Sequence, residues 1–233
     1  MSRLSYVIKL TGYIFDIIDN SNYNELYRLS KYIKELYRRG LRFIIVVGGG
    51  ATLRNWIEYL RKFSSTSEYD LDELGILFTR INAEIFRRLL YPTSLDLIPE
   101  TIEEAIIAAK TSDKNIVLGG VSPGYSTNSV AAHIASKILI PLINMTRVGG
   151  VFTKDPQLYN DARKLDRITI DELINLMSSH MESAGHYPLL DKTSLNIIKQ
   201  YRVKTYVIPA SKYALEKLIH GECIGTEIDP NPQ

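Results

Sequence analysis

The chain has 233 residues, 45% hydrophobic and 23% charged, which are ordinary globular proportions for one large domain or two closely joined lobes. A formal net charge of +2 gives no ground for a nucleic-acid or membrane surface, and no segment reaches the roughly 20 apolar residues of a membrane span. One cysteine, Cys223, excludes an intrachain disulfide and fits a reducing compartment, so a cytoplasmic protein is expected.

Residues 5–10 are a short apolar run, a first strand, ending at Thr11 and Gly12. Leu26, Leu29, Ile33 and Leu36 recur at helical spacing, and Gly40 stops that helix. Residues 43–47 are continuously apolar, as in a strand buried on both faces, and end at Gly48, Gly49 and Gly50. A helix carrying Leu53, Trp56, Ile57 and Leu60 follows. A polar connection at residues 64–69 leads to a long helix over about 71–90. Residues 116–118 give the next buried strand, closed by Gly119 and Gly120. After the turn at Pro123, Gly124 and Tyr125, a helix begins near Thr127 and carries Val130, Ala131, Ile134 and Ile138.

Residues 139–145 are apolar enough for a strand despite Pro141, which suits only a strand's start or edge. Gly149 and Gly150 open a loop to about residue 166. Thr169 and Glu172 form a capping-box pattern, Asp191 caps a further helix, and residues 204–208 read as a strand. Ser211 caps the last helix, residues 223–228 read as a final edge strand, and residues 229–233 as a loose tail. Strand, glycine turn and helix in alternation predict an α/β protein: a mainly parallel central sheet with helices on both faces, an αβα sandwich.

Three glycine clusters each follow a predicted strand: Gly12 after Lys9, then Gly48, Gly49 and Gly50, then Gly119 and Gly120 with Gly124. Parallel sheets bind ligands at those strand ends, and a glycine turn entering a helix brings N–H groups and a positive dipole end to a phosphate. Neither a G-x-x-x-x-G-K-[ST] loop nor a G-x-G-x-x-G fingerprint is present. The histidines His133, His180, His186 and His220 have no metal-ligand spacing.

Several ordered stretches extend this reading. They are Ile8-Lys9-Leu10-Thr11-Gly12, Gly48-Gly49-Gly50-Ala51-Thr52-Leu53-Arg54, Asp72-Glu73-Leu74-Gly75-Ile76 and Thr79-Arg80-Ile81-Asn82-Ala83. After them come Gly119-Gly120-Val121-Ser122-Pro123-Gly124-Tyr125-Ser126-Thr127, residues 146–156, and Ala184-Gly185-His186-Tyr187-Pro188-Leu189-Leu190-Asp191. In this order and spacing, over nearly the whole chain, they resemble the archaeal type of uridylate kinase in the amino-acid kinase superfamily.

The resemblance implies phosphoryl transfer from ATP to UMP, with Mg²⁺ carried on ATP rather than in a dedicated protein site. It implies Lys9 and Arg54 as the catalytic cations. Leu10, Thr11, Gly12, Gly50, Thr146, Arg147, Phe152 and Asp155 join Lys9 and Arg54 at ATP. Gly49, Asp72, Val121, Ser122, Pro123, Gly124, Tyr125, Ser126 and Thr127 would hold UMP. One domain, residues 1–233, would divide into an acceptor lobe at about 1–145 and an ATP lobe at about 146–233. A homo-oligomer, a hexamer in the family, is implied as well, with no nucleic-acid polymer and no membrane as partner.

Plainer readings stand beside these: Lys9 pointing to solvent, Arg54 in a surface ion pair, Asp72 as a helix N-cap, Arg80 on a helix surface or subunit contact. The chain also departs from the family's pattern. Gly149 replaces the ATP-loop aspartate, Arg147 an asparagine or lysine, Asn128 an acid, Tyr13 a small residue or lysine, and Phe152 a tyrosine. Two functions therefore remain open: a working kinase with a rewired ATP loop, or a catalytically weakened, nucleotide-binding regulatory paralogue.

Overall fold

The computed structural model describes residues 3–16, 20–181 and 189–231, and its continuous apolar runs form the strands of a central sheet. In chain order the strands are β1 (Arg3–Leu10), β2 (Leu41–Val47), β3 (Ile116–Leu118), β4 (Leu142–Thr146), β5 (Val151–Phe152), β6 (Lys164–Leu165), β7 (Arg167–Thr169), β8 (Thr205–Pro209) and β9 (Thr226–Asp229). The sheet order is β3-β2-β1-β4-β8-β9-β7, parallel except where β9 runs antiparallel to β8; β5 and β6 form a separate antiparallel pair. The helices are α1 (Asn20–Arg38), α2 (Gly50–Phe63), α3 (Glu68–Leu90), α4 (Ile102–Thr111), α5 (Thr127–Ile138), α6 (Ile170–Met181), α7 (Lys192–Gln200) and α8 (Lys212–Ile219). None of the described helices is long and apolar enough to cross a membrane.

Alternation along β1 divides the core. Val7, with Ile44 and Val46 of β2, packs with apolar residues of α4, α5, α6 and α7. Ile8 and Leu10, with Ile45 and Val47, pack on the other face with α1, α3 and α8. Both faces of the sheet are therefore covered, as its uninterrupted hydrophobic strands require. Each fully buried aliphatic side chain contributes about 1.5–3 kcal/mol of transfer free energy.

The structure corrects three expectations and adds one helix. Residues 139–145 are not one strand: α5 ends at Leu139 in the left-handed region (φ 60), and β4 starts only after Pro141. The last strand is not an edge, because the three-residue β7 pairs with its outer side. The added helix is α4, which Thr101 caps by accepting from the Glu104 N–H at 3.1 Å. The expected tail begins inside β9, where Asp229 meets Arg167 at 2.5 Å. The family-like stretch at residues 184–188, with His186, lies outside the described residues.

The strand ends that matter are those of β1, β2 and β4. Gly48 N–H donates to Leu10 O at 2.9 Å and Thr11 N–H to Met145 O at 3.0 Å, which ties the three exits together. Gly12 then opens a short 3-10 turn, Gly12–Phe15, against the glycine turn after β2. A Cβ on Gly12 would lie 2.0 Å from Gly50 N and 2.4 Å from Gly49 C. Those atoms are backbone and cannot rotate away. We expect Gly12→Ala to cost at least about 3 kcal/mol, the upper end of ordinary overpacking, in urea unfolding. A loss under about 0.5 kcal/mol would show that the two turns do not pack this tightly.

Candidate active site

The floor of the site is the glycine turn after β2. Gly50 starts α2 at φ 88, a conformation open to glycine. Asp16, buried at 4% exposure, accepts from the N–H groups of Ala51 (2.7 Å) and Thr52 (3.0 Å) and from the Thr52 hydroxyl (2.9 Å). This carboxylate sits where the α2 dipole favours an anion. The expectation that first-turn N–H groups of this helix meet a ligand phosphate therefore fails for Ala51 and Thr52. The N–H groups of Gly49 and Gly50 find no acceptor among the described residues.

Helix α3 supports two glycine turns from below. Buried Asn82 donates its amide to Gly48 O at 2.9 Å and to Gly49 O at 3.3 Å. The Thr79 hydroxyl accepts from Gly120 N–H and donates to Ile76 O, both at 2.7 Å. A Cβ on Gly119 would meet Thr79 and Arg80 atoms at 2.7 Å, so β3 approaches α3 almost backbone to backbone. Arg80 spans from Gly120 O (3.3 Å) to the Glu100 carboxylate (3.0 Å), an intrachain tie.

Between α2, α3 and the loop after β3 lies a cavity of about 400 Å³. Of the residues expected at the acceptor, Gly49, Asp72, Ser122, Gly124, Tyr125, Ser126 and Thr127 line it, while Val121 and Pro123 are not on its wall. Its apolar side is Leu53, Ile57, Leu71 and Ile76. Gly75 opens that wall, since a Cβ there would meet only Leu53, at 3.9 Å. Asp72 is not an N-cap: Ser67 caps α3 in a capping box with Asp70. One Asp72 oxygen instead accepts from Gly124 N–H at 2.7 Å across the cavity mouth. The Tyr125 hydroxyl meets His133 Nδ1 at 2.9 Å, which anchors the loop on α5.

Lys9 stands at the exit of β1 beside Asn144, its register partner on β4. It is half-buried rather than turned out to solvent. Desolvation, then repulsion from Arg54, lowers its pKa to about 8, against attraction from Asp191. Arg54 itself is exposed and makes no hydrogen bond or ion pair among the described residues.

Asp191 accepts from Ser126 (2.5 Å), Ser129 (2.7 Å) and Ser194 N–H (2.9 Å). Burial pushes its carboxyl up, but these bonds outweigh burial and hold it below the usual carboxylate range. The sequence marks it as a helix cap and as the end of a family-like stretch; its place near Lys9 comes from α5 and α7 packing together. Asn128 and Asn144 both point their amides at Leu189 O, at 3.5 and 3.3 Å, and their buried Oδ1 atoms have no donor among the described residues.

The residues expected at ATP lie around the exits of β1 and β4. Leu10, Thr11 and Gly12 end β1, and Thr146 ends β4 with its hydroxyl accepting from Gly149 N–H at 2.9 Å. Gly149 has φ 78, and a Cβ there would lie 2.5 Å from Pro209 Cγ. A side chain here would be strained and would press on Pro209, so this backbone suits glycine at the position of the missing carboxylate. Arg147 stacks over the Tyr13 ring at 4.6 Å. Phe152 is partly buried in β5, and Asp155 accepts from Gln157 N–H at 2.8 Å in its own turn.

A model of the amino acid kinase family matches residues 5–209. The uridylate kinase of Sulfurisphaera tokodaii is 34% identical over 230 residues, 97% of this chain and 100% of that protein. The crystal structure of uridylate kinase from Archaeoglobus fulgidus aligns with a TM-score of 0.83 at 30% identity, over 97% of this chain and 100% of that one. The UMP kinase of Ureaplasma parvum aligns at a TM-score of 0.76 and 17% identity, over 98% of this chain and 100% of that one, a likeness of fold alone.

A lysine held with a lowered pKa has a stability signature. The unfolded chain titrates Lys9 at 10.5 and the folded one at about 8, so between those values the unfolded state binds more protons and stability rises with pH. Lys9→Met removes that rise. We expect the variant to be more stable than the parent at pH 7, by roughly 1–3 kcal/mol after allowance for partial exposure, with the gap closing toward pH 10. Urea unfolding at both pH values measures it; a variant less stable at pH 7 contradicts the desolvated lysine.

Proposed function

This chain belongs to the uridylate kinases of the amino acid kinase family, and from that membership we propose that it catalyses ATP + UMP → ADP + UDP. The observation that carries the reading is the coincidence of the expected acceptor residues on one cavity with Gly49 on its wall, whose N–H has no acceptor among the described residues.

UMP sits with its nucleoside in the cavity and its phosphate at the glycine floor. The Asp72 oxygen not bound to Gly124 accepts from a ribose hydroxyl, as a carboxylate does at other nucleotide sites. Gly75 leaves the wall open beside the base. ATP approaches from the exits of β1 and β4, where Thr11, Gly12, Thr146, Arg147, Phe152 and Asp155 lie. A UMP phosphate oxygen attacks the γ-phosphorus in line, and the bond from that phosphorus to the β–γ bridging oxygen breaks as ADP leaves. The step needs positioning and charge neutralisation more than covalent help from the protein. Lys9 and Arg54 supply the charge, and the fixed N–H dipoles of Gly49 and Gly50 need no reorganisation.

Mg²⁺ enters with the nucleotide. Among the described residues there is no cluster of three or more His, Cys, Asp or Glu able to hold a metal. Phosphate oxygens and water are the natural ligands of a Mg²⁺ that dehydrates reluctantly. The acceptor elements lie at about residues 1–145 and the donor elements at about 146–233, as two lobes of one domain. Exposed Trp56, Tyr59 and Phe63 on α2 and Leu77, Ile81 and Ile85 on α3 support a homo-oligomer, and the family resemblance makes it a hexamer. The single cysteine supports a cytoplasmic setting. Gly149 favours a second reading, a regulatory paralogue that binds nucleotides without efficient transfer.

An ADP-release assay with UMP, CMP, AMP and GMP decides between them. We expect turnover with UMP foremost; tight nucleotide binding by calorimetry with no turnover on any acceptor would support the paralogue. Lys9→Ala should lower kcat by about 10²–10³-fold, as loss of one transition-state donor does, with the fold intact. In the parent, kcat/KM should fall above about pH 8 as free Lys9 loses its proton. The limb in kcat should lie further alkaline, because bound phosphate favours the ammonium. Ordinary activity in Lys9→Ala refutes the assignment.

A further inference from the structure

Two residues that depart from the family pattern touch each other. The Arg147 guanidinium carbon lies 4.6 Å from the centre of the Tyr13 ring. Tyr13 belongs to the 3-10 turn after β1 and Arg147 to the turn after β4. These strands are neighbours, and the Thr11 N–H bond to Met145 O at 3.0 Å fixes one turn against the other. Thr11 also accepts from Tyr13 N–H at 3.3 Å, so the ring's backbone is pinned on the strand side. Asp16 N–H donates to Tyr13 O at 3.1 Å and pins the other end.

Arg147 is exposed and makes no hydrogen bond or ion pair with a described residue. Two positions on, Gly149 sits against Pro209 at φ 78, and no carboxylate stands there to neutralise the arginine. A guanidinium that stacks by its face keeps the N–H groups along its edge free, and that fork matches phosphate oxygens two at a time. The stack is within cation–π range. The result is a cation over the Tyr13 ring beside the first phosphate turn, without a hydrogen bond or ion pair among the described residues.

We propose that Tyr13 is a positioning residue: its ring holds the Arg147 guanidinium so that the free edge binds the phosphate oxygens of the nucleoside triphosphate. This rests on the reading of the β1 and β4 exits as the ATP site. Arg147 takes up phosphate charge on a side of the site that carries no acid at position 149. A leucine at position 13 would fill similar space without a π face, while phenylalanine would keep that face. A lysine at position 147 would keep the charge but lose the planar fork.

The test is steady-state kinetics and ATP calorimetry on the full chain, with Tyr13→Phe, Tyr13→Leu, Arg147→Gln and the Tyr13→Leu/Arg147→Gln double variant. Tyr13→Leu should raise KM and Kd for ATP by about threefold to tenfold, the scale of one cation–π contact, with KM for UMP and kcat little moved. Tyr13→Phe should restore ATP affinity to within about twofold of the parent, since the ring is what matters. The double variant should be no weaker than Arg147→Gln alone. Additive losses, or a Tyr13→Leu protein with the parent's ATP affinity while Arg147→Gln is weakened, overturn the positioning role and leave the kinase reading intact. A parent protein that binds no ATP overturns both. If Tyr13→Leu does not fold, Arg147→Lys is the second arm: a raised KM for ATP supports the stacked fork, and an unchanged one overturns it.

Discussion

Two glycine turns, one leaving β1 and one leaving β2, press their backbones together so closely that no side chain fits between them. The rest of the site depends on that contact. It brings Gly12 against Gly49 and Gly50, and so places the exit of one strand, with Lys9, next to the start of the helix that carries Arg54. Asp16 locks it by capping α2 from the far end of the 3-10 turn, and Asn82 holds the Gly48 and Gly49 carbonyls from α3. With those carbonyls and the Ala51 and Thr52 N–H groups satisfied internally, the Gly49 and Gly50 N–H groups have no acceptor among the described residues.

The same arrangement holds charge at a cost. Lys9 is desolvated and faces Arg54, and the Asp191 carboxylate that attracts it is shared with Ser126, Ser129 and Ser194. Asn128 and Asn144 leave buried carbonyl oxygens without a donor among the described residues. Unsatisfied polar atoms and a lysine with a lowered pKa are unfavourable in a resting fold. Lys9 sits at the exit of β1, where a polyanion would be neutralised, and a perturbed group of this kind is expected at a binding site. The site is thus arranged for a ligand that brings negative charge.

Much of this was legible in the residues. Continuous apolar runs marked β1, β2 and β3, and the caps at Thr169, Asp191 and Ser211 marked three helix starts, because these signals are local. The acceptor wall was legible through the ordered stretches around Asp72 and Gly119. Asp16 was not, since an aspartate in an isolated turn carries no sign of the helix it will cap 35 residues later. The interior place of β9 was hidden because a three-residue strand far upstream covers it. Gly149 read as a loss, whereas Pro209 and a positive φ make this backbone one that suits glycine. Tyr13 and Arg147 read as two separate oddities because their contact exists only after β1 and β4 pair.

The site depends on which backbone donors the protein keeps for itself and which it offers. Amide hydrogen exchange, followed residue by residue in the free protein and with UMP bound, measures that division directly. Ala51 and Thr52 should be protected in the free protein by Asp16 and unchanged by the nucleotide, while Gly49 should gain protection only when UMP is present. Fast exchange at Ala51 and Thr52 that slows on binding, with Gly49 unaffected, would contradict this division.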